Sequence, residues 1–281
     1  MPVGYVVRST NATEADNFFL MSAPIIFDRG VYARRRRHAE EAVGESFLVR
    51  HAGESLSERL GAAKRCFPSA LDLSSRRQGF ELLAPHAKSW LRTGLHPNSR
   101  AVDVVADEEA LPFAPQSFDL IVSLLGLHAV NDLPGALVQI RHALKPDGLF
   151  VAALFGGGTL GELRRAFASG EAETTGGSSP RVAPFADVRD MGTLLQRTGV
   201  ASPVADIDTL SVRYASFATL IDDLRMLGET NTLAQRRRSF LPRRVLSAAL
   251  ASYERNDGLS GKLPASFAIL YLTGWASACD A

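Results

Sequence analysis

Short apolar runs alternate with helix-forming segments through the middle of the chain, and this alternation constrains the fold more than any other feature. The apolar runs lie at residues 70–73, 101–106, 118–124 and 149–155. Amphipathic stretches lie around them, such as residues 54–66 and residues 133–144, where Asp132 can cap the helix. Strands that alternate with helices are typical of a doubly wound sheet. The sequence therefore predicts an α/β fold in which the four runs are adjacent, mostly parallel strands.

The remaining segments predict further helices and a final antiparallel strand. Residues 34–41 combine four arginines with two glutamates and favour an exposed helix. Residues 79–92 favour a helix interrupted by Pro85. The last part predicts helices near residues 185–198, 216–228 and 242–254, a strand pair near 203–214, and an antiparallel strand at 264–275.

Composition excludes several classes of protein. The 31 basic and 30 acidic residues leave a net charge of +1, which gives no support for nucleic-acid binding. The two cysteines, Cys66 and Cys279, make neither a disulfide scaffold nor a zinc cluster, and no metal site is predicted. No stretch reaches the ~20 apolar residues of a transmembrane segment. We expect a disordered leader at residues 1–24 and one domain at residues 25–281.

An acidic run follows the second predicted strand. Asp107 and Glu108 come directly after residues 101–106, and open α/β sheets bind ligands at the carboxyl ends of their strands. The Asp107 carboxylate is suited to accept a hydrogen bond from an amino group such as that of adenine. Leu111 and Phe113 are suited to flank the adenine ring. The alternative interpretation is a loop of solvated acids.

A second polar loop follows the strand at 118–124. It contains His128 and Asn131, which are the candidate catalytic residues because ligands bind at this end of such strands. A single histidine identifies no particular chemistry. The alternative is that His128 is a helix-start residue whose ring is satisfied by backbone groups.

Several blocks of sequence carry a family resemblance. Residues 107–113, 118–123, 130–134 and 144–150 read Asp-Glu-Glu-Ala-Leu-Pro-Phe, Phe-Asp-Leu-Ile-Val-Ser, Val-Asn-Asp-Leu-Pro and Leu-Lys-Pro-Asp-Gly-Leu-Phe. They resemble the class I S-adenosylmethionine-dependent methyltransferases. The Gly-Gly-x-Thr-Leu block at 156–160, the Ser-Pro-x-x-x-Pro-Phe block at 179–185 and the end at 264–275 resemble the methyltransferase-like complex I assembly factors.

The resemblance extends from about residue 27 to residue 275, and it implies a Rossmann-like sheet with S-adenosyl-L-methionine as cofactor. The mitochondrial members of this family hydroxylate an arginine on an iron–sulfur subunit of complex I. The cofactor-binding residues that the resemblance implies are Asp72, Ser74, Asp107, Glu108 and Leu124.

This chain departs from the family in the first motif, Asp-Leu-Gly-x-Gly-x-Gly. Ser74, Arg76 and Gln78 stand at the three glycine positions, where side chains obstruct the close approach of the backbone to a ligand. The next segment also lacks the acid that binds the ribose hydroxyls. We therefore expect weak or absent cofactor binding, with Arg76 either in the methionine pocket or paired with Asp72 or Asp107.

Three functions stay open at this point. The resemblance implies a protein that acts in complex I assembly by modifying an iron–sulfur subunit, through methylation or arginine hydroxylation. The alternatives are a non-catalytic assembly or binding protein and a small-molecule or carrier-protein O-methyltransferase. The implied location is the cytoplasm, with or without peripheral contact with the inner membrane, or the mitochondrial matrix in a eukaryote.

Overall fold

A seven-stranded sheet organises the part of the chain that the computed structural model describes, which is residues 24–42, 44, 46–73, 75–97, 102–258 and 261–277. The strands are β1 (Phe67–Leu73), β2 (Ala87–Gly94), β3 (Val104–Val105), β4 (Phe118–Leu124), β5 (Leu144–Phe155), β6 (Ala201–Tyr214) and β7 (Leu263–Trp275). Their order is β3-β2-β1-β4-β5-β7-β6. Strands β1 to β5 are parallel, and β7 is antiparallel to both β5 and β6.

This arrangement confirms the α/β fold, a parallel strand within each of the four predicted segments and the antiparallel last strand. Two details of the prediction were wrong. Strand β3 pairs with β2 and does not touch β1, because β2 lies between them. The extended region near 203–214 is one long strand, β6, and not a strand pair.

Strand β2 was missed because its sequence does not look like a buried strand. Residues 79–92 form the end of helix α3 (Arg77–Leu83), a 3-10 turn (Ala84–His86) and most of β2. Most side chains of β2 are exposed or half-buried. A strand with so little burial shows neither a continuous apolar run nor a clear alternation.

Helices cover both faces of the sheet. The other helices of the described residues are α1 (Arg29–Glu41), α2 (Phe47–Ala62), α4 (Leu133–Ala143), α5 (Gly161–Thr175), α6 (Val188–Arg197), α7 (Phe217–Leu227) and α8 (Arg243–Asp257). Helices α2, α3, α5, α7 and α8 contribute to one apolar cluster, and α4 and α6 to the other. In the described part of the chain, no helix has the length and apolarity needed to cross a membrane.

The carboxyl ends of β1 and β4 form the natural ligand crevice of this fold. The chain leaves β1 toward β2 on one side and leaves β4 toward β5 on the other, and ligands bind where the strand order reverses in this way. After β4 come a 3-10 turn (Leu127–Ala129) and helix α4. The Asp132 carboxylate caps α4 by accepting a hydrogen bond from Gly135 N at 2.9 Å, as the sequence predicted.

Helix α1 lies across this crevice. It was predicted as an exposed helix, and Arg34 is indeed exposed, but Arg36 is buried. The Arg36 guanidinium donates to the carbonyl of Leu125, directly after β4. The charged run therefore has one face that is part of the interior. Residues 1–23, most of the predicted leader, lie outside the described residues.

Candidate functional site

The crevice begins at the carboxyl end of β1 with a buried acid. Asp72 is 1% exposed, and neither of its carboxylate oxygens has a hydrogen-bond partner among the described residues. Burial raises the pKa of Asp72 to about 7, because the ionised form is poorly solvated there. The nearby hydroxyl of Ser75 favours the ionised form and partly offsets this rise in pKa, although it too is buried and makes no hydrogen bond of regular geometry in the described part of the chain. Ser74, which follows β1, lies outside the described residues.

The acidic run after β3 pairs with Arg29, which was not among the predicted site residues. The Arg29 guanidinium lies 2.7 Å from an Asp107 oxygen and also contacts Glu108, which is 2% exposed. Its Nε is 3.8 Å from Glu109, and another of its nitrogens donates to the Ala129 carbonyl at 2.9 Å. The run is therefore more than a solvated loop, because Glu108 is buried in an ion cluster, while the Asp107 side chain remains 37% exposed.

Three side chains of α1 fill the space between these acids and β4. Arg29, Tyr32 and Arg36 are spaced three and four apart, so they lie on one helical face. Tyr32 is fully buried, with Arg29 5.5 Å and Arg36 5.8 Å from its ring centroid. Desolvation, reinforced by the negative charge of Glu229, raises the pKa of Tyr32. The spaces left beside these side chains measure about 40 and 20 Å³, enough for a few water molecules.

Arg76 turns inward, but its partner is not the one predicted. It donates to the carbonyl of Leu227 at 2.8 Å and to that of Leu125 at 2.9 Å. It pairs with Glu229 at 3.0 Å, and not with Asp72 or Asp107. Gln78, the other described residue at a family glycine position, binds the backbone before α2, where its side-chain oxygen accepts from Ser46 N at 3.0 Å.

The two candidate catalytic residues have different surroundings. The ring of His128 lies against Phe155 and Phe185, with centroids 4.9 and 5.6 Å away. Its Nε2 is 3.0 Å from Glu229 Oε2, and its Nδ1 has no partner among the described residues. The Asn131 side-chain oxygen accepts from Ile26 N at 2.8 Å and from Phe27 N at 2.7 Å. Asn131 thus holds the segment before α1 in place.

Leu124, at the end of β4, faces away from the crevice. Its side chain is 1% exposed and belongs to the apolar cluster under α2 and α3. It packs so closely on Gly79 that a Cβ there would lie 1.9 Å from a Leu124 methyl group. Leu124 affects the crevice through the backbone that follows it. The carbonyl of the next residue, Leu125, accepts hydrogen bonds from both Arg36 and Arg76.

A cavity of about 290 Å³ lies beside His128. Its walls are mainly apolar and aromatic, and its polar lining includes His128, Arg181, Glu229, Thr230 and Asn231. The aromatic lining residues are Phe27, Phe167, Phe185 and Phe217. A mainly apolar concave site with a few polar groups is the usual form of a small-ligand pocket, and this volume is at the lower end of the range of about 300–1,000 Å³.

The Gly-Gly-x-Thr-Leu block builds one wall of this cavity. The Thr159 hydroxyl donates to Ala268 O at 3.0 Å and accepts from Ala268 N at 3.1 Å, which fixes the block to β7. Leu160 has a left-handed backbone with φ of 54°, an uncommon conformation for a residue with a branched side chain. Leu160 also lines the cavity. These residues therefore shape the wall and carry no reactive group into it.

The Ser-Pro-x-x-x-Pro-Phe block builds another wall. Glu171, 1% exposed, accepts from the Ser179 hydroxyl at 2.7 Å and from Arg181 Nε at 3.0 Å. Desolvation opposes the ionisation of Glu171, but the contacts with Ser179 and Arg181 outweigh it and lower its pKa. This anchor brings Phe185 against His128. Both blocks thus act on the cavity through its walls.

Sequence reasoning missed Arg29, Tyr32 and Glu229. One signal for burial was present in the sequence. A lone aromatic, Tyr32, shares one face of a very polar helix with Arg29 and Arg36, and such an aromatic indicates burial. Glu229 carries no comparable signal, since it lies 101 residues beyond His128. Among the described residues, no group of three or more His, Cys, Asp or Glu side chains is arranged to hold a metal ion.

Comparison with known proteins extends these observations. A methyltransferase-domain family model matches residues 83–152. The human mitochondrial protein named arginine-hydroxylase NDUFAF5 is 39% identical over 267 residues, which cover 89% of this chain and 76% of the human protein. A malonyl-[acyl-carrier protein] O-methyltransferase from Gallionella capsiferriformans is 32% identical over 228 residues, covering 80% of this chain and 73% of that protein.

A solved structure shows the same fold. The YcgJ protein of Bacillus subtilis matches with a TM-score of 0.54 and 13% identity, covering 81% of this chain and 99% of that one. At this level of identity, the match concerns the architecture of the sheet and its helices and does not extend to chemistry.

Proposed function

This chain belongs to the NDUFAF5 family of methyltransferase-fold proteins, and on that premise we propose that it modifies an arginine side chain of a protein partner inside the cavity beside His128. The partner that the resemblance implies is an iron–sulfur subunit of respiratory complex I. The place of action is then the cytoplasmic or matrix side of the membrane that holds this complex.

The observation that carries the proposal is the lining of the cavity. Apolar walls suit the methylene stem of an arginine, and the aromatic rings of Phe185 and Phe217 in the lining suit a planar cation. Glu229 provides a carboxylate in the same lining, and a guanidinium pairs with a carboxylate through directed N–H donors. The volume of about 290 Å³ favours one long side chain over a large ligand.

The same lining argues against a free carboxylate as substrate. Arg181, a cation that borders the cavity, is already paired with Glu171, so it is not free to bind a carboxylate. A malonyl group, the substrate in the name of the Gallionella relative, therefore has less support here than an arginine side chain.

The polar groups of the cofactor crevice suit S-adenosyl-L-methionine, but the crevice has too little free volume to hold it. The oxygens of Asp72, the hydroxyl of Ser75 and one oxygen of Glu108 are buried without partners among the described residues, which suits a polar ligand. Tyr32 and Arg36 border the gap beside Ser75, which measures only about 20 Å³ and is far too small for a nucleoside. We infer that the cofactor binds only when α1 moves.

Calorimetric titration of S-adenosylmethionine tests this inference. We expect a Kd in the high micromolar range or weaker, since 1 μM corresponds to about −8.2 kcal/mol and each lost 1.4 kcal/mol weakens binding about tenfold. Tyr32→Ala should bind at least tenfold more tightly than the unmodified chain. Low-micromolar binding by the unmodified chain would contradict the closed crevice. No binding by either protein would favour the non-catalytic assembly protein, which the filled crevice supports as the second candidate.

Mass spectrometry of the complex I iron–sulfur subunits tests the main proposal. The subunits are isolated from cells that make this chain, cells that lack it and cells that make Ala183→Leu, which fills the cavity wall. We expect one arginine to carry an added oxygen atom or methyl group only with the unmodified chain. An unaltered subunit in all three cell lines, or a modified residue other than arginine, would refute it.

A further inference from the structure

Three buried residues from distant parts of the chain meet at the border between the crevice and the cavity. Arg76 follows β1, His128 follows β4 and Glu229 follows α7. Arg76 lies 3.0 Å from one Glu229 oxygen, and His128 Nε2 lies 3.0 Å from the other. Their side chains are 7%, 2% and 11% exposed. Each oxygen of the carboxylate therefore has its own donor.

The protonation of the three residues follows from their roles as donors and acceptors. A carboxylate accepts only, so the His128 Nε2 must carry a proton. Arg76 supplies a full positive charge beside one oxygen of Glu229, and the His128 ring supplies an N–H donor to the other. Each Glu229 oxygen keeps acceptor capacity, because a carboxylate accepts about four hydrogen bonds in total.

Arg76 stands where the resemblance places a glycine, and the structure gives that side chain a use. It joins the carbonyls after β4 and at the end of α7 to the Glu229 carboxylate. A glycine at this position would leave Glu229 with one donor and one paired cation fewer, which would favour displacement of the carboxylate.

We propose that Glu229 is the residue that selects a cationic substrate side chain, and that Arg76 and His128 are positioning residues that hold its carboxylate in place in the cavity lining. The inference rests on the proposed function, because it places the substrate arginine in this cavity. It gives Arg76, which replaces a family glycine, and Glu229 a shared role. The altered glycine motif then contributes to substrate selection.

The test compares two small probes, N-acetyl-arginine methylamide and its neutral citrulline counterpart, by NMR titration of the full chain. The unmodified chain should bind the arginine probe at least tenfold more tightly. Glu229→Gln should abolish this preference and leave citrulline binding within twofold, and Arg76→Lys should retain part of it. Asp119→Asn is the control, because Asp119 is a partly buried carboxylate that pairs with Lys145 at the start of β4 and does not line the cavity, and it should keep the preference.

A second measurement separates this inference from the proposed function. The ¹⁵N shifts of His128 should show a proton on Nε2 in the unmodified chain, and they should change in Glu229→Gln and in Arg76→Gly. If neither probe binds the unmodified chain, the proposed substrate site is wrong, and the specificity role of Glu229 fails with it. If the probes bind but Glu229→Gln keeps the preference, or the His128 shifts are the same in all variants, the assignment of these three residues is overturned. Should Arg76→Gly not fold, Arg76→Lys and Glu229→Gln still decide the outcome.

Discussion

The cofactor crevice and the cavity lie side by side at the carboxyl ends of the strands, yet they are built in opposite ways. The crevice is filled by charged and aromatic side chains of α1, and several of its buried polar atoms have no partner among the described residues. The cavity is open and mainly apolar, and the polar groups behind its walls, such as Thr159 and Glu171, are hydrogen-bonded. Glu229 stands between the two regions.

This difference shows which region of the protein is destabilised by buried polar groups without partners. A buried polar group without a partner costs about 1–3 kcal/mol, so the crevice contains several such costs close together. Any ligand that supplied partners to Asp72 and Ser75 would remove part of them. Among the described side chains that line the cavity, His128 Nδ1 is the one buried polar atom without a partner, and Thr159 and Glu171 behind the walls are hydrogen-bonded. The crevice is therefore the region expected to respond most to substitution and to pH.

The largest expected effect comes from breaking the ion cluster that fixes α1 over the crevice. Arg29→Ala should lower the free energy of unfolding by about 3–5 kcal/mol, because it leaves the buried Glu108 without its countercharge. Urea unfolding measures the change. Arg225→Ala is the control, since that arginine and its partner Asp222 are both exposed, and it should cost less than about 1 kcal/mol. Equal losses in the two variants would show that the cluster is no stronger than a surface pair.

The second effect has the opposite sign and depends on pH. Burial raises the pKa of Asp72 from 3.8 to about 7, so the folded form binds this proton more tightly than the unfolded form. Stability from this group is therefore present below about pH 4 and is lost as pH rises to about 7. Asp72→Asn should raise the free energy of unfolding at pH 8 by more than ~1 kcal/mol, since one pKa unit equals about 1.4 kcal/mol.

Urea unfolding at pH 5 and pH 8 checks this prediction. The gain from Asp72→Asn should be smaller at pH 5, where the carboxyl is mostly protonated in the folded state. A gain that is equal at both pH values, or a loss at pH 8, would mean that the carboxylate is well solvated or well paired. Both results would remove the contrast between crevice and cavity at this residue.

The third effect concerns the wall of the cavity. Thr159→Val keeps the shape of the side chain but removes the hydroxyl that both donates to and accepts from the Ala268 backbone. It should cost about 1–3 kcal/mol, because the buried Ala268 amide and carbonyl each lose a partner. Thr159→Ser should recover most of the loss in thermal unfolding. A valine variant as stable as the parent would show that the wall is not held by this network.

The sequence was most informative where burial is complete and least informative where a site is assembled from distant segments. The apolar run of β4 is buried on both faces, and such strands read as continuous apolar segments, so its position and the placement of His128 at its end could be predicted. Strand β2 is half-exposed, and its position could not be predicted from the sequence. Arg29 and Glu229 are brought to the site by α1 and by the end of α7, and local sequence carries no information on such distant pairings.

The smallest expected effect on stability comes from a pair of substitutions that add volume, one in the cavity and one in the crevice. This pair distinguishes the two regions most directly. Ala183 lines the cavity, so the larger side chain of Ala183→Leu can enter existing space, and the free energy of unfolding should change by less than about 0.5 kcal/mol. Ser75 is 1% exposed beside a gap of about 20 Å³, so Ser75→Leu forces its neighbours apart and should cost about 1–3 kcal/mol. Thermal unfolding of both variants measures the difference. If Ala183→Leu were as costly as Ser75→Leu, the cavity would be closed in solution, and a site with no free volume could not receive an arginine side chain.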